Sequence, residues 1–185
     1  AAQFKRGMAV TYDSLQPGAN RVYFCRDHDT MWFGIKWQDY FTPRYMALES
    51  IYAYMYIPMV YAGDPNESPN PDDDPKIWEY YKKLYTARSG FPELQQGDVL
   101  LREVDCDSDW VFTGLRRLGD KHVLVVVSLS DKVENVTISL DKSIPAKDGD
   151  WSLNDPISGK KIDTSISGGK LKLELQPFQV LIERL

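Results

Sequence analysis

The chain has 185 residues, of which 43% are hydrophobic and 26% are charged. That apolar content can build a real core, so disorder is excluded as the main state. The chain carries 22 Lys and Arg residues against 27 Asp and Glu residues, a formal net charge of −5. This balance disfavours nucleic acid as a partner, because phosphate binding needs a basic surface. No apolar run reaches about 18 residues, so we expect no membrane-spanning helix.

The first half of the sequence predicts two strands alternating with two helices. Residues 21–25 and 59–62 are short apolar runs, which are typical of parallel strands buried on both faces. Between them, residues 45–56 carry apolar side chains at helical spacing, which indicates a helix that Pro58 ends. A second helix is predicted to open at Pro75, since proline is favoured at the first helical position.

The second half of the sequence, after about residue 92, is typical of short strands separated by turns. This pattern predicts an antiparallel β-sandwich. The most apolar run, Val123–Val127, is predicted to be a central strand. The segments with strand composition are Val99–Val104, Trp110–Arg117, His122–Leu129, Asn135–Leu140, Lys170–Leu175 and Phe178–Ile182.

A polar cluster follows the first predicted strand and is the sharpest candidate site. Asp27, His28 and Asp29 place two carboxylates and an imidazole side by side, where a parallel strand would end. Such groups could bind neighbouring hydroxyls of a sugar and stabilise positive charge developing on it. The alternative is a capped turn, with the aspartates accepting from backbone N–H groups. Metal binding is not expected, because His28 is the only histidine in this half and lacks spaced partners.

Four stretches of the sequence, taken in chain order, resemble one known family. Residues 22–30 are an apolar run ending in Asp-His-Asp, and residues 57–64 combine a proline, an aromatic residue and a final Gly-Asp. Residues 80–94 have the pattern of a helix and its exit, and residues 151–182 have a Gly-rich turn between predicted strands. In this order they resemble the seventh strand, the eighth strand, the eighth helix and the C-terminal sandwich of the alpha-amylase family, glycoside hydrolase family thirteen.

The resemblance implies a role for each matching residue. Asp29 would be the transition-state-stabilising aspartate, a catalytic carboxylate, and His28 would bind sugar hydroxyls where cleavage occurs. Asp27 stands where the family usually has asparagine. Pro65 follows Gly-Asp where the family often has glutamate, so no role is carried to that position. No cofactor is implied.

The resemblance also implies the fold class and domain organisation. The chain is predicted to be α+β, with the last β/α units of a TIM barrel followed by an antiparallel β-sandwich. Residues 1–91 would be the C-terminal quarter of a (β/α)8 catalytic barrel, and residues 92–185 would be the sandwich domain. A complete barrel takes about 250 residues. We therefore expect the nucleophile and the acid/base of a retaining mechanism to come from earlier strands of a longer parent enzyme.

The function predicted from the resemblance is thus that of a part of an enzyme. The parent would act on an α-glucan or maltooligosaccharide at α-glucosidic linkages, and the 185-residue chain alone would be inactive. Two alternatives stay open: a non-catalytic carbohydrate-binding or structural β-sandwich module, and a parent enzyme that has itself degenerated. A barrel quarter has exposed strand edges, so self-association or partial disorder of residues 1–90 is expected, beside a stable sandwich. Cys25 and Cys106 leave the compartment undetermined.

Overall fold

The structure is a computed structural model, which describes residues 1–16, 21–24, 42–59 and 75–185. In the described ranges the helices are α1 (Ala2–Asp13), α2 (Pro43–Met55), α3 (Pro75–Ser89) and α4 (Pro92–Gln96). None of these helices is long and apolar enough to cross a membrane.

The predicted helices are confirmed, with shifted ends. At the start of α2, the Thr42 side chain accepts a hydrogen bond from the Tyr45 backbone N–H at 3.4 Å, and Pro43 occupies the first turn. α2 is buried on nearly all sides rather than along one stripe. α3 begins at Pro75 as predicted and buries Tyr81 and Leu84.

In the described residues of the first half, one pair of strands runs parallel. β1 (Val22–Tyr23) pairs with β2 (Ile57–Pro58), and α2 lies between them in the chain. The prediction of a second strand beginning at Met59 is wrong at its start, because the pairing comes earlier and Met59 is 37% exposed. Residues 60–62 of that predicted strand lie outside the described residues.

A proline is tolerated in β2 for a geometric reason. The N–H groups of Ile57 and Met59 donate to the carbonyls of Arg21 and Tyr23, at 3.4 and 2.9 Å. Pro58 lies between these two donors, at a position that donates nothing to β1. Its missing N–H therefore costs no hydrogen bond to the neighbouring strand.

The second half forms one continuous nine-stranded sheet, antiparallel throughout. The strand order is β3-β5-β6-β11-β8-β9-β10-β7-β4. The strands are β3 (Asp98–Leu100), β4 (Val104–Cys106), β5 (Val111–Leu118), β6 (Lys121–Ser128), β7 (Glu134–Leu140), β8 (Gly149–Asn154), β9 (Lys161–Ser167), β10 (Lys170–Leu175) and β11 (Val180–Arg184). The predicted antiparallel class is confirmed, but as a single sheet curled around its own core rather than two separate sheets.

Strand β6 is central, as predicted, and it serves two cores. Its residues Val123, Val125 and Val127 face the helices and pack in a core with α1, α2 and α3. Leu124 and Val126 face the opposite way, into the core enclosed by the curled sheet. The continuous apolar run of β6 is explained by this burial on both faces.

Two details of the sheet differ from the sequence prediction. The predicted strand at 99–104 is interrupted, so that β3 and β4 pair with different partners at opposite edges of the sheet. β8 and β9 were not among the predicted strands, although they pair with each other along six residues each. β9 alternates exposed and partly buried positions, with Ile166 as its buried residue, so its apolar signal is weak.

Candidate functional site

The predicted catalytic cluster comes shortly after β1 in the chain. Asp27, His28 and Asp29 lie outside the described residues, so their roles stay predictions. The structure does describe β1, the strand that precedes this cluster, and β2, the strand that precedes residues 60–74, which themselves lie outside the described residues. Because β1 and β2 run parallel, their carboxyl ends lie at the same edge of the pair. Loops that leave such an edge carry the active site in barrel enzymes.

One face of the parallel pair is covered by α2 through aromatic contacts. The Tyr23 ring stacks on Tyr52 with centroids 5.3 Å apart, and it lies 4.3 Å from the Tyr56 ring. Rings at these separations pack favourably. Helix α2 thus fixes the position of β1.

The other face of the parallel pair is apolar and exposed. Side chains alternate along a strand, so Val22 and Phe24 share one face of β1 and its extension, while Ile57 and Met59 share the matching face of β2. These four side chains are 52%, 38%, 44% and 37% exposed, respectively. Among the described residues, nothing covers this face enough to bury it.

Two arginines bind the last turn of α2 to the rest of the molecule. Arg116 of β5 is buried, and its guanidinium donates to the carbonyls of Met55 at 2.7 Å, Tyr54 at 3.2 Å and Gly97 at 2.7 Å. Arg88 of α3 donates to the carbonyl of Ala53 at 2.8 Å. The carbonyls at a helix C-terminus lack intrahelical partners and carry negative partial charge, which these cations satisfy.

Burial makes the charge on Arg116 costly. Burial, followed by the nearby positive charge of Arg88, lowers the pKa of Arg116 to about 10. The sequence analysis did not single out Arg116, although a signal was present. Every second residue of a strand points to the same side. In β5 the residues on the side that faces the helices are Phe112, Gly114 and Arg116.

The part of the chain that the structure describes contains neither a cluster of metal ligands nor a reactive thiol. Within residues 1–16, 21–24, 42–59 and 75–185, no group of three His, Cys, Asp or Glu side chains could hold a metal ion. Cys106 is a free cysteine, and burial raises the pKa of its thiol. A raised pKa keeps the thiol protonated and poorly nucleophilic.

Comparison with known proteins shows what this fold resembles. No protein-family model matches the sequence, and no curated protein matches it. Solved structures do match. A noncanonic maltogenic alpha-amylase, AmyB from Thermotoga neapolitana, superposes with a TM-score of 0.72 at 14% identity, over 96% of this chain and 45% of its own. An Anoxybacillus alpha-amylase superposes with a TM-score of 0.68 at 18% identity, over 97% of this chain and 41% of its own.

A third match is a variant of AmyP in complex with maltotriose, with a TM-score of 0.64 at 16% identity, over 96% of this chain and 43% of that one. The chain therefore spans less than half the length of each structure. At sequence identities this low, the comparisons show a similarity of fold alone. The resemblance to the alpha-amylase family predicted from sequence is confirmed at that level: along nearly its whole length, the chain has a fold found in alpha-amylase structures.

Proposed function

We propose that this chain is the C-terminal part of an alpha-amylase-like glycoside hydrolase. Residues 1–91 would supply the last quarter of its (β/α)8 barrel, and residues 92–185 its C-terminal sheet domain. The intact enzyme would cleave α-glucosidic linkages by the retaining route. The observation that carries this proposal is the parallel pairing of β1 and β2 across α2, within a fold that matches alpha-amylase structures.

The parallel pair supports the proposal because its arrangement is the one that a (β/α)8 barrel would repeat. A strand, a helix and a parallel neighbouring strand follow one another, and the helix covers one face of the pair. The uncovered face, with Val22 and Ile57 in register, is the face that would look into a barrel interior filled by side chains.

The substrate class is proposed from the structural relatives. AmyP was crystallised with maltotriose and with maltose, and a Nostoc punctiforme debranching enzyme was soaked with acarbose. We infer that an α-glucan or maltooligosaccharide is the substrate of the intact protein. The polar segment that follows β1 would meet it at the carboxyl edge of the strands.

The chemistry assigned to this chain is transition-state stabilisation. Cleavage of a glycosidic bond develops positive charge on the sugar ring, and a fixed carboxylate lowers the energy of that state. Asp29 would supply the carboxylate, and His28 would bind the ring hydroxyls. The nucleophile and the acid/base, about 5–5.5 Å apart in retaining enzymes, would come from barrel strands that this chain does not contain.

The test compares two substitutions in the cluster. In the intact enzyme, Asp29→Asn should lower kcat about a hundredfold or more, because a group that stabilises transition-state charge is lost. Asp27→Asn is the matched control, since it changes one neighbouring carboxylate in the same way and should leave kcat within a few-fold. Equal effects of the two substitutions would refute the assignment of Asp29. The 185-residue chain alone should show no turnover of maltooligosaccharides.

A structural role for the sheet is the second candidate function. It is favoured by the shared core, in which Val123, Val125 and Val127 of β6 pack against the helices. A purely structural sheet would bind no sugar. Titrating the 185-residue chain with maltotriose while following tryptophan fluorescence separates the two cases. No change up to millimolar sugar favours a structural role, whereas a saturable change favours a carbohydrate-binding module.

A further inference from the structure

A small polar cavity lies where α1, the end of α2, α4 and the sheet meet. Its volume is about 100 Å³. One water molecule needs roughly 10–15 Å³ of such space, so the cavity has room for more than one. No carboxylate is among the described residues that line it. Its polar lining consists of Tyr12, Arg21, Tyr56, Gln95, Gln96 and Arg116.

The Tyr56 hydroxyl in this cavity has no hydrogen-bond partner among the described residues. The side chain is 5% exposed, so water outside the cavity does not satisfy it. Burial, followed by the neighbouring Tyr23 and Tyr12, raises the pKa of Tyr56, and Arg116 and Arg21 oppose that rise. Both guanidinium groups therefore act on this hydroxyl. A buried hydroxyl without a partner is destabilising, and its presence beside two cations calls for a ligand that accepts hydrogen bonds.

The two arginines bring positive charge that the cavity does not neutralise. In the described residues, the guanidinium of Arg116 donates only to backbone carbonyls, and its contacts use four of its five N–H groups. The Arg21 side chain makes no hydrogen bond or ion pair with the described part of the chain. Arg116 is buried, whereas Arg21 is exposed. A buried cation such as Arg116, with no carboxylate to accept its hydrogen bonds, is unfavourable, and a bound anion would relieve that cost.

We propose that this cavity binds a small inorganic anion, held by the Tyr56 hydroxyl and the guanidinium groups of Arg21 and Arg116. The planar fork of the exposed Arg21 suits an oxyanion such as phosphate, while the remaining N–H of Arg116 and the Tyr56 hydroxyl also suit chloride. The anion would lie between the helices and the sheet and stabilise their junction. This inference does not depend on the proposed enzymatic function.

The test is the thermal stability of the 185-residue chain in different anions. Sodium gluconate is the reference salt, because its carboxylate is carried on a bulky polyol that suits a cavity of about 100 Å³ less well than a small inorganic anion does. Replacing it with sodium chloride or sodium phosphate at constant ionic strength should raise Tm progressively with concentration, since a ligand that binds only the folded state stabilises it. No rise with either anion would overturn the proposal.

Substitutions then locate the effect. Tyr56→Phe removes only the hydroxyl and should weaken the apparent anion affinity about tenfold or more, as expected for a lost hydrogen bond to a charged group. Arg21→Gln should weaken it similarly. Tyr54→Phe is the matched control, because its hydroxyl is also buried and unpartnered yet does not line the cavity, so the anion response should stay unchanged. An equal response in all four proteins would indicate a general salt effect and overturn the proposal.

Discussion

At the scale of single residues, one buried carboxylate attaches the helical segment to the last strand. Glu93 of α4 is 1% exposed, and both of its oxygens accept hydrogen bonds from Arg184 of β11 at 2.9 Å. The Arg184 guanidinium also lies over the Phe91 ring, 5.2 Å from its centroid. Burial, the largest single effect, would raise the pKa of Glu93, but the hydrogen bonds from Arg184, a backbone hydrogen bond and the charges of Arg184 and Lys121 together outweigh it and lower the pKa.

Arg184→Ala should destabilise the chain by about 1–3 kcal/mol. This is less than the penalty for breaking a fully buried pair, because the Arg184 side chain is 41% exposed. Arg117→Ala is the matched control, since its partner Asp98 is exposed, and it should change stability by less than about 1 kcal/mol. Urea unfolding at neutral pH measures both. Equal losses would contradict the role given to Glu93.

The same pair predicts a pH dependence. A carboxyl whose pKa is lowered by folding stabilises the folded state above its unfolded pKa of about 4.3, and this contribution is lost as pH falls through the folded value. The difference in stability between the wild type and Arg184→Ala should therefore shrink as the pH falls below about 4. A difference that stays constant into this range would argue that Arg184 acts through packing on Phe91 instead.

At the scale of elements, two glycines mark where helices and sheet come closest. A Cβ at Gly97 would lie 2.5 Å from the Glu93 carbonyl oxygen and 2.6 Å from the Arg117 carbonyl oxygen. A Cβ at Gly114 would lie 2.6 Å from the Cε methyl of Met55. The obstacle is fixed backbone in the first case and the flexible end of a side chain in the second.

Gly97→Ala should therefore be more damaging than Gly114→Ala. Overpacking typically costs about 1–3 kcal/mol, and we expect Gly97→Ala at or above the top of that range and Gly114→Ala near the bottom. The midpoints of urea unfolding compare the two variants directly. If Gly114→Ala proved the more damaging, Met55 would have to be held more rigidly than a methionine in a core usually is.

The elements also show what the sequence can and cannot predict. β6 is evident because burial on both faces leaves no polar residue in Val123–Val127. β9 is hard to predict because most of its side chains face solvent. β2 is displaced from its predicted position because proline was taken as a stop, whereas Pro58 occupies a position that donates no hydrogen bond to β1. Of the candidate site, the sequence identifies Asp29 and His28 by motif, but it cannot locate a cavity formed by distant segments.

At the scale of the whole molecule, the exposed face of the parallel pair predicts self-association of the 185-residue chain. Val22→Lys together with Ile57→Lys places two charges on that face and should shift the chain towards monomer. Val133→Lys is the control, because Val133 is 47% exposed but lies far along the chain, before β7. Sedimentation at several concentrations measures the effect. A wild-type chain that stays monomeric at high concentration would contradict the prediction.

The tyrosines predict how the whole chain responds to alkali. Burial raises the pKa of Tyr54, Tyr56 and Tyr80, and that of Tyr85 to about 12. Groups whose pKa is raised by folding stabilise the folded state below their unfolded pKa of about 10, and this stability is lost as pH rises through the folded values. Burial lowers the pKa of Arg116, Arg88 and Lys5, which act in the opposite sense, whereas the raised pKa of the Cys106 thiol acts in the same sense as the tyrosines.

The urea midpoint should therefore fall as the pH is raised from about 9 to about 11.5, and Tyr85→Phe should make that fall less steep. The appearance of tyrosinate absorbance should accompany unfolding rather than precede it. Full ionisation of the tyrosines in a chain that is still folded would contradict this prediction.

Because both faces of β6 are buried, truncating this protein to its sheet domain has a practical consequence. The sequence suggests a domain boundary just before Pro92. Truncation there would remove most of the helices that cover Val123, Val125 and Val127 and expose these valines to water on the isolated sheet. Such a piece would precipitate or capture other hydrophobic material. Recoding those three positions as threonine, which keeps the β-branched shape and adds a hydroxyl, would be the first step towards a soluble sheet domain.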